Sequence, residues 1–158
     1  MTLTSARCLI LACGNTLRED DGVGPWLAAR AEERFRNQPA VRVLSRHQWT
    51  PELAEEIAPA ESVLFLDCST STAPGLIGMA TVEPSVELPR LLTHHLGAPD
   101  LLALARDLYG SLPRNAMLLT VGAGSLQLRE GFSKAVSAAL PQAVSRIETT
   151  VLNWLVTP

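Results

Sequence analysis

Short, unbroken apolar runs alternate along this chain with stretches whose apolar residues recur every three or four positions. RCLILAC (7–13), SVLFLDC (62–68) and AMLLTVGAG (116–124) are the solid runs expected of strands buried on both faces. VRVLSRH (41–47) reads as a further strand, and so does 76–82, which follows a Pro74-Gly75 turn. Helical spacing fills the intervals. A helix is expected over 25–36, with Pro25 in its first turn and Val23, Leu27 and Ala31 forming one apolar stripe. TPELAEEIA (50–58) carries three start signals: Thr50 as a cap, Pro51 at the first position and acids in the first turn. In 98–110, Leu101, Leu104, Ala105 and Leu108 follow helical spacing, and Gly110 ends the segment. The last helix covers 133–156, with Leu140, Val144, Ile147, Val151 and Leu155 on one face. Pro141 is expected to kink it or to start a second helix.

Strands of this kind separated by helices call for an α/β fold. The expected form is a three-layer α/β/α sandwich, a mainly parallel five-stranded sheet with helices on both faces, in one domain over 1–158. In such sheets a ligand site forms where loops leave the carboxyl ends of the strands.

Composition narrows the function classes. With 47% apolar and 18% charged residues, the chain buries a core rather than staying disordered. A net charge of −3 and scattered basic residues, among which Lys134 is the only lysine, give no footprint for nucleic acid. No run reaches the roughly 18 apolar residues of a membrane span, and the first apolar run is too short for a signal peptide. A cytoplasmic location is the expectation. The three cysteines include no CxxC pair and are expected to stay reduced.

The loops at predicted strand ends hold the chemistry. The first, GNTLREDDGVG (14–24), carries Asn15, Glu19, Asp20 and Asp21; Asp67 closes the 62–68 strand; His94 and His95 precede the 98–110 helix. Carboxylate, carboxylate and imidazole, if convergent, suit a divalent transition metal with open positions. Each group also has a bland role, Asp20 and Asp21 as helix caps and Asp67 as a turn residue. Other motifs fail on spacing: the first loop is not GxGxxG, VGAGSL (121–126) is not a nucleophile elbow, and no HExxH occurs. Cys68 follows Asp67 on a strand, so it points to the opposite face.

GNTLREDDGVG resembles the glycine-asparagine-x-leucine-x-x-acid-acid-glycine-x-glycine signature of the hydrogenase maturation proteases, endopeptidases that trim the C-terminal tail of the [NiFe]-hydrogenase large subunit. TPELAEEIAPAESVLFLDCS (50–69) is similar to the family's second helix and acid-bearing strand. THHLGAPDLLALARDLYG (93–110) is similar to its histidine loop and helix, and REGFSKAV (129–136) to the start of its final helices. Cys68 departs from the alanine often found after the acid.

The resemblance implies metal contacts from Asp21, Asp67 and His94, with His95 the alternative one residue on. Asn15 and Asp20 would orient the loop around Asp21, and Gly22 and Gly24 would keep it compact. The nickel would arrive on the substrate, a [NiFe]-hydrogenase large-subunit precursor, with ions such as Zn²⁺ or Cd²⁺ able to occupy the site in vitro. Asp21 or Asp67 would serve as general base in amide hydrolysis, with no nucleic-acid or membrane partner implied. Adjacent acids would then divide the work, Asp21 facing the metal and Asp20 facing away. Two other classes use the same chain features: a nucleotide-binding α/β module, and a non-catalytic metal or hydrogenase assembly chaperone.

Overall fold

A computed structural model describes residues 7–86 and 96–157. Its elements run β1 (Cys8–Cys13), α1 (Val23–Arg34), β2 (Val41–Arg46), α2 (Ala54–Ile57), β3 (Ser62–Ser69), β4 (Ile77–Thr81), α3 (Ala98–Tyr109), β5 (Asn115–Gly122) and α4 (Lys134–Val156), with 3-10 turns at Glu19–Gly22 and Pro51–Leu53. The strand order is β2-β1-β3-β5-β4. All neighbours pair in parallel except β4, which runs antiparallel to β5 at the edge. The sequence-based α/β expectation of a mainly parallel five-stranded sheet therefore holds.

Side-chain alternation divides the sheet between two cores. Leu9, Leu11, Val63 and Phe65 face α2 and α3, where Ile57 and Leu101 are fully buried. Ile10, Leu64, Leu66 and Leu119 face α1 and α4, packing on Leu27 and Ile147. This is why the strands read as solid apolar runs: both parities are buried.

Several local expectations shift. Segment 50–58 is a 3-10 turn followed by a four-residue α2, and the Thr50 side chain makes no capping hydrogen bond. Leu108 is exposed, because the buried face of α3 ends at Ala105. Gly110 does end α3, in the left-handed conformation at φ 67°. Pro141 starts no second helix; 134–156 is one element of 23 residues. Pro141 is exposed, while Val136, Ala139, Ala143, Ile147 and Val151 form a continuous buried line that packing holds together across the missing amide. Leu140, Val144 and Leu155 flank that line, half-buried. Ser133 caps the helix, its hydroxyl accepting from the Val136 amide at 3.3 Å. At the other end the Arg7 guanidinium donates to the carbonyls of Leu155 and Thr157, each at 3.0 Å. No helix among the described residues is long and apolar enough to cross a membrane.

Two close approaches fix the loop after β1. A side chain on Gly24 would place its Cβ 2.4 Å from the Cys13 carbonyl oxygen and 3.1 Å from that of Leu66, so α1 seats directly on the ends of β1 and β3. Asp20, fully buried, ties the loop to the 124–133 segment. Its Oδ2 accepts from the amides of Gly124 at 2.7 Å and Ser125 at 2.9 Å, and its Oδ1 from that of Ser133 at 2.8 Å. Burial pushes this carboxyl's pKa up, but the bonds from Ser133, Ser125 and Gly124 outweigh it and hold the group below the ordinary carboxylate value. Alongside, buried Glu19 sits at φ 43° and pairs with Arg129, while the edge of Trp26 meets Phe132 at 6.2 Å between centroids.

Gly24→Ala should cost about 1–3 kcal/mol by overpacking, read as a lowered denaturant midpoint with an unchanged slope. Asp20→Asn should cost about 3 kcal/mol near pH 7, because either amide orientation turns a donor toward a backbone donor. A depressed pKa contributes stability above the unfolded value, lost as pH falls. The gap between wild type and Asp20→Asn should therefore narrow as pH drops below about 4, as measured by denaturation at stepped pH.

Candidate functional site

Because β2, β1, β3 and β5 are parallel, their carboxyl ends share one rim of the sheet. Cys13 and Gly14 leave β1 there, and Asp67 lies near the end of β3. Asp67 follows Phe65 in parity and so belongs to the α2–α3 face. Its Oδ1 accepts from the Cys13 thiol at 3.3 Å and from the Cys68 amide at 2.8 Å. Cys68 packs with the opposite core, on the α1–α4 face, as alternation requires.

Asp21, half-buried in the 3-10 turn, reaches back to the start of its own loop, where its Oδ2 accepts from the Asn15 amide at 2.8 Å. The Asn15 side chain in turn accepts from the Leu17 amide at 2.9 Å, an Asx turn that shapes the approach. Asp20 points away into the 124–133 segment, so the adjacent acids do address different partners.

Two thiols, Cys13 and Cys68, stand beside Asp67 at this rim. Burial foremost, then the charge and hydrogen bond of Asp67, then Asp21 and Cys68, drive the Cys13 pKa far above the ordinary thiol value. Cys68 is pushed up to about 12, by burial first and then by Asp21, Asp67 and Asp20. Asp67 sits against Cys13 at the last residue of β1, and Asp21 is held by the Asn15 amide two residues further on, so both carboxylates flank the same strand end. The thiols are held protonated, so what this rim offers at neutral pH is carboxylate oxygen rather than thiolate sulfur.

His94 and His95 lie outside the described residues. Among the described residues no group of three or more His, Cys, Asp or Glu side chains is placed to hold a metal ion. His47, at the end of β2, lines a separate depression with Glu52 and Glu55. A groove of about 880 Å³ between α1 and α4, lined by Trp26, Arg30 and Leu140, lies on the flank of the molecule.

The backbone of the first loop is spent internally. Apart from Thr16, every amide from Gly14 to Asp21 donates to an acceptor within the protein: Arg46, Asp21, Asn15 twice, Arg129, Ser125 and Arg18. Asp20 takes the amides of Gly124, Ser125 and Ser133. A phosphate needs a cradle of unengaged amides, and the loop that would supply it in a nucleotide-binding module has one such candidate.

The sequence by itself assigns no role to Cys13 or to the Gly124, Ser125 and Ser133 amides. Parity is the signal that points to Cys13, since it follows Leu11 by two positions on the strand beside Asp67. The amides carry no side-chain signal; only the helix start at Ser133 marks one of them.

No family model matches the chain. It is 28% identical over 148 residues to the hydrogenase 2 maturation protease of Escherichia coli strain K12, covering 89% of this chain and 88% of that one. It is 29% identical over 157 residues to the hydrogenase expression/formation protein HupM of Azotobacter chroococcum, covering 92% and 73%. Its fold superposes on the hydrogenase maturating endopeptidase HybD from E. coli with a TM-score of 0.72 over 93% of both chains, at 23% identity. Similarity in sequence over most of the chain joins here to the same fold: the chain is similar to the hydrogenase maturation proteases.

Proposed function

We propose that this peptidase removes the C-terminal extension of a [NiFe]-hydrogenase large-subunit precursor and recognises that precursor through the nickel it already carries. The observation that carries the reading is that Asp67, on β3, and Asp21, in the turn after β1, are held by Cys13 and by the Asn15 amide at the same end of β1. Two carboxylates with His94 as a third donor hold a divalent ion only modestly. Binding free energy is then gained chiefly when the precursor brings the ion, so metal loading gates cleavage.

The reaction is amide hydrolysis. Water adds through its oxygen to the scissile carbonyl carbon while Asp21 or Asp67 takes its proton. The carbon–nitrogen bond then breaks, the departing amine regains a proton, and the products are a shortened subunit ending in a new carboxylate and a free tail peptide. The substrate's ion polarises the carbonyl or the water. Asp20 and Asn15 act by shape: one pins the loop, the other orients Asp21.

Asp21→Asn and Asp67→Asn should each lower processing of the nickel-loaded precursor by about 100-fold or more while leaving the cooperative unfolding transition in place. Near-normal cleavage by either variant, followed as the mass shift of the large subunit, would count against the assignment. Ni²⁺, Zn²⁺ or Cd²⁺ should raise the melting temperature of the wild-type chain, by the equivalent of about 2.7 kcal/mol at a hundred times Kd, and ATP should leave it unchanged. In Asp21→Asn the metal-induced rise should shrink.

A further inference from the structure

β1 and β3 are registered so that Leu11 lies across from Phe65 and Ala12 across from Leu66. One step further along both strands brings Cys13 beside Asp67, where the sulfur stands 3.3 Å from Oδ1. A carboxylate oxygen only accepts, so the thiol is the donor. We propose that Cys13 is a positioning residue for Asp67: its thiol, fixed at the last residue of β1, holds Oδ1 and sets the direction in which the carboxylate leaves the sheet. The inference rests on the proposed role of Asp67 in peptide cleavage.

Two features favour this role. A second donor to Oδ1, the Cys68 amide at 2.8 Å, comes from the residue next to Asp67 and ties it to its own strand. Cys13 comes from the neighbouring strand, and two residues later the Asn15 amide holds Asp21 Oδ2 at 2.8 Å. One short strand end therefore grips both carboxylates, by a side chain on Asp67 and by backbone on Asp21, and fixes their mutual orientation. A neutral donor is also the better choice here, because it steadies Asp67 without cancelling the charge that a cation would meet, as lysine or arginine would.

The test compares Cys13→Val, close in size without a donor, with Cys13→Ser, which keeps one. In steady-state processing of the metal-loaded precursor, Cys13→Val should lose about ten-fold in kcat with KM unchanged, while Cys13→Ser stays within about two-fold of wild type. Three-bond NMR couplings from Asp67 Cγ to its backbone nitrogen and carbonyl carbon should report one χ1 rotamer in wild type and Cys13→Ser, and averaging in Cys13→Val. Full kcat in Cys13→Val, or equal losses in both variants, would overturn the role. If the wild-type chain leaves the precursor uncut, the cleavage reading fails by itself, and the couplings still decide the positioning: identical values in all three proteins overturn it. Should Cys13→Val fail to fold, Cys13→Ala carries the same expectations.

Discussion

A carboxylate stripped of water stays ionised only where hydrogen bonds replace its hydration, and Asp20 obtains them from backbone amides at 124, 125 and 133. Those amides lie more than a hundred residues along the chain from the acid they satisfy. Meeting its need therefore forces the first loop against the segment joining β5 to α4, and it brings the start of α4 with it. The neighbouring Asp21, on a turn whose partner side chain is anchored inward, is left to the rim. The same contact explains why the loop tolerates Glu19 at φ 43°, a conformation costing a non-glycine residue about 1–2 kcal/mol: Arg129 and the Arg129 carbonyl hold it from the facing segment.

What the chain discloses before folding follows from where the information sits. Strands β1, β3 and β5 are legible because burial on both faces leaves no polar alternation to interpret. Asp67 is legible as an acid placed where an apolar run stops, and Asp21 as part of a glycine-bracketed acidic pair. The exposed side of α3 beyond Ala105 is not, since Leu108 keeps helical spacing while its neighbours in space run out. Nor is the continuity of α4, because a proline's local cost is visible in sequence and the tertiary packing that overrides it is not. The roles of Cys13 and of the amides around Asp20 depend on strand register and loop contact, which only the assembled sheet defines.

Folds of this architecture serve many chemistries, so the distinguishing physics lies in how the first loop uses its backbone. Here nearly all of its amides are turned inward to carbonyls and to side-chain oxygens of Asn15 and Asp21, leaving side-chain oxygens as the outward chemistry. Carboxylates beside thiols that keep their protons make a rim of hard donors.

Arg7, at the foot of β1, seals the last turn of α4 by reaching the carbonyls of Leu155 and Thr157. That bond gathers residues 7 and 157 at the end of the sheet opposite the carboxylates, since β1 runs from Arg7 toward the rim where Asp21 and Asp67 lie. A label, tether or surface attached near either of these residues would leave the acidic edge facing open solvent, so a large protein substrate could still approach an immobilised copy of this chain.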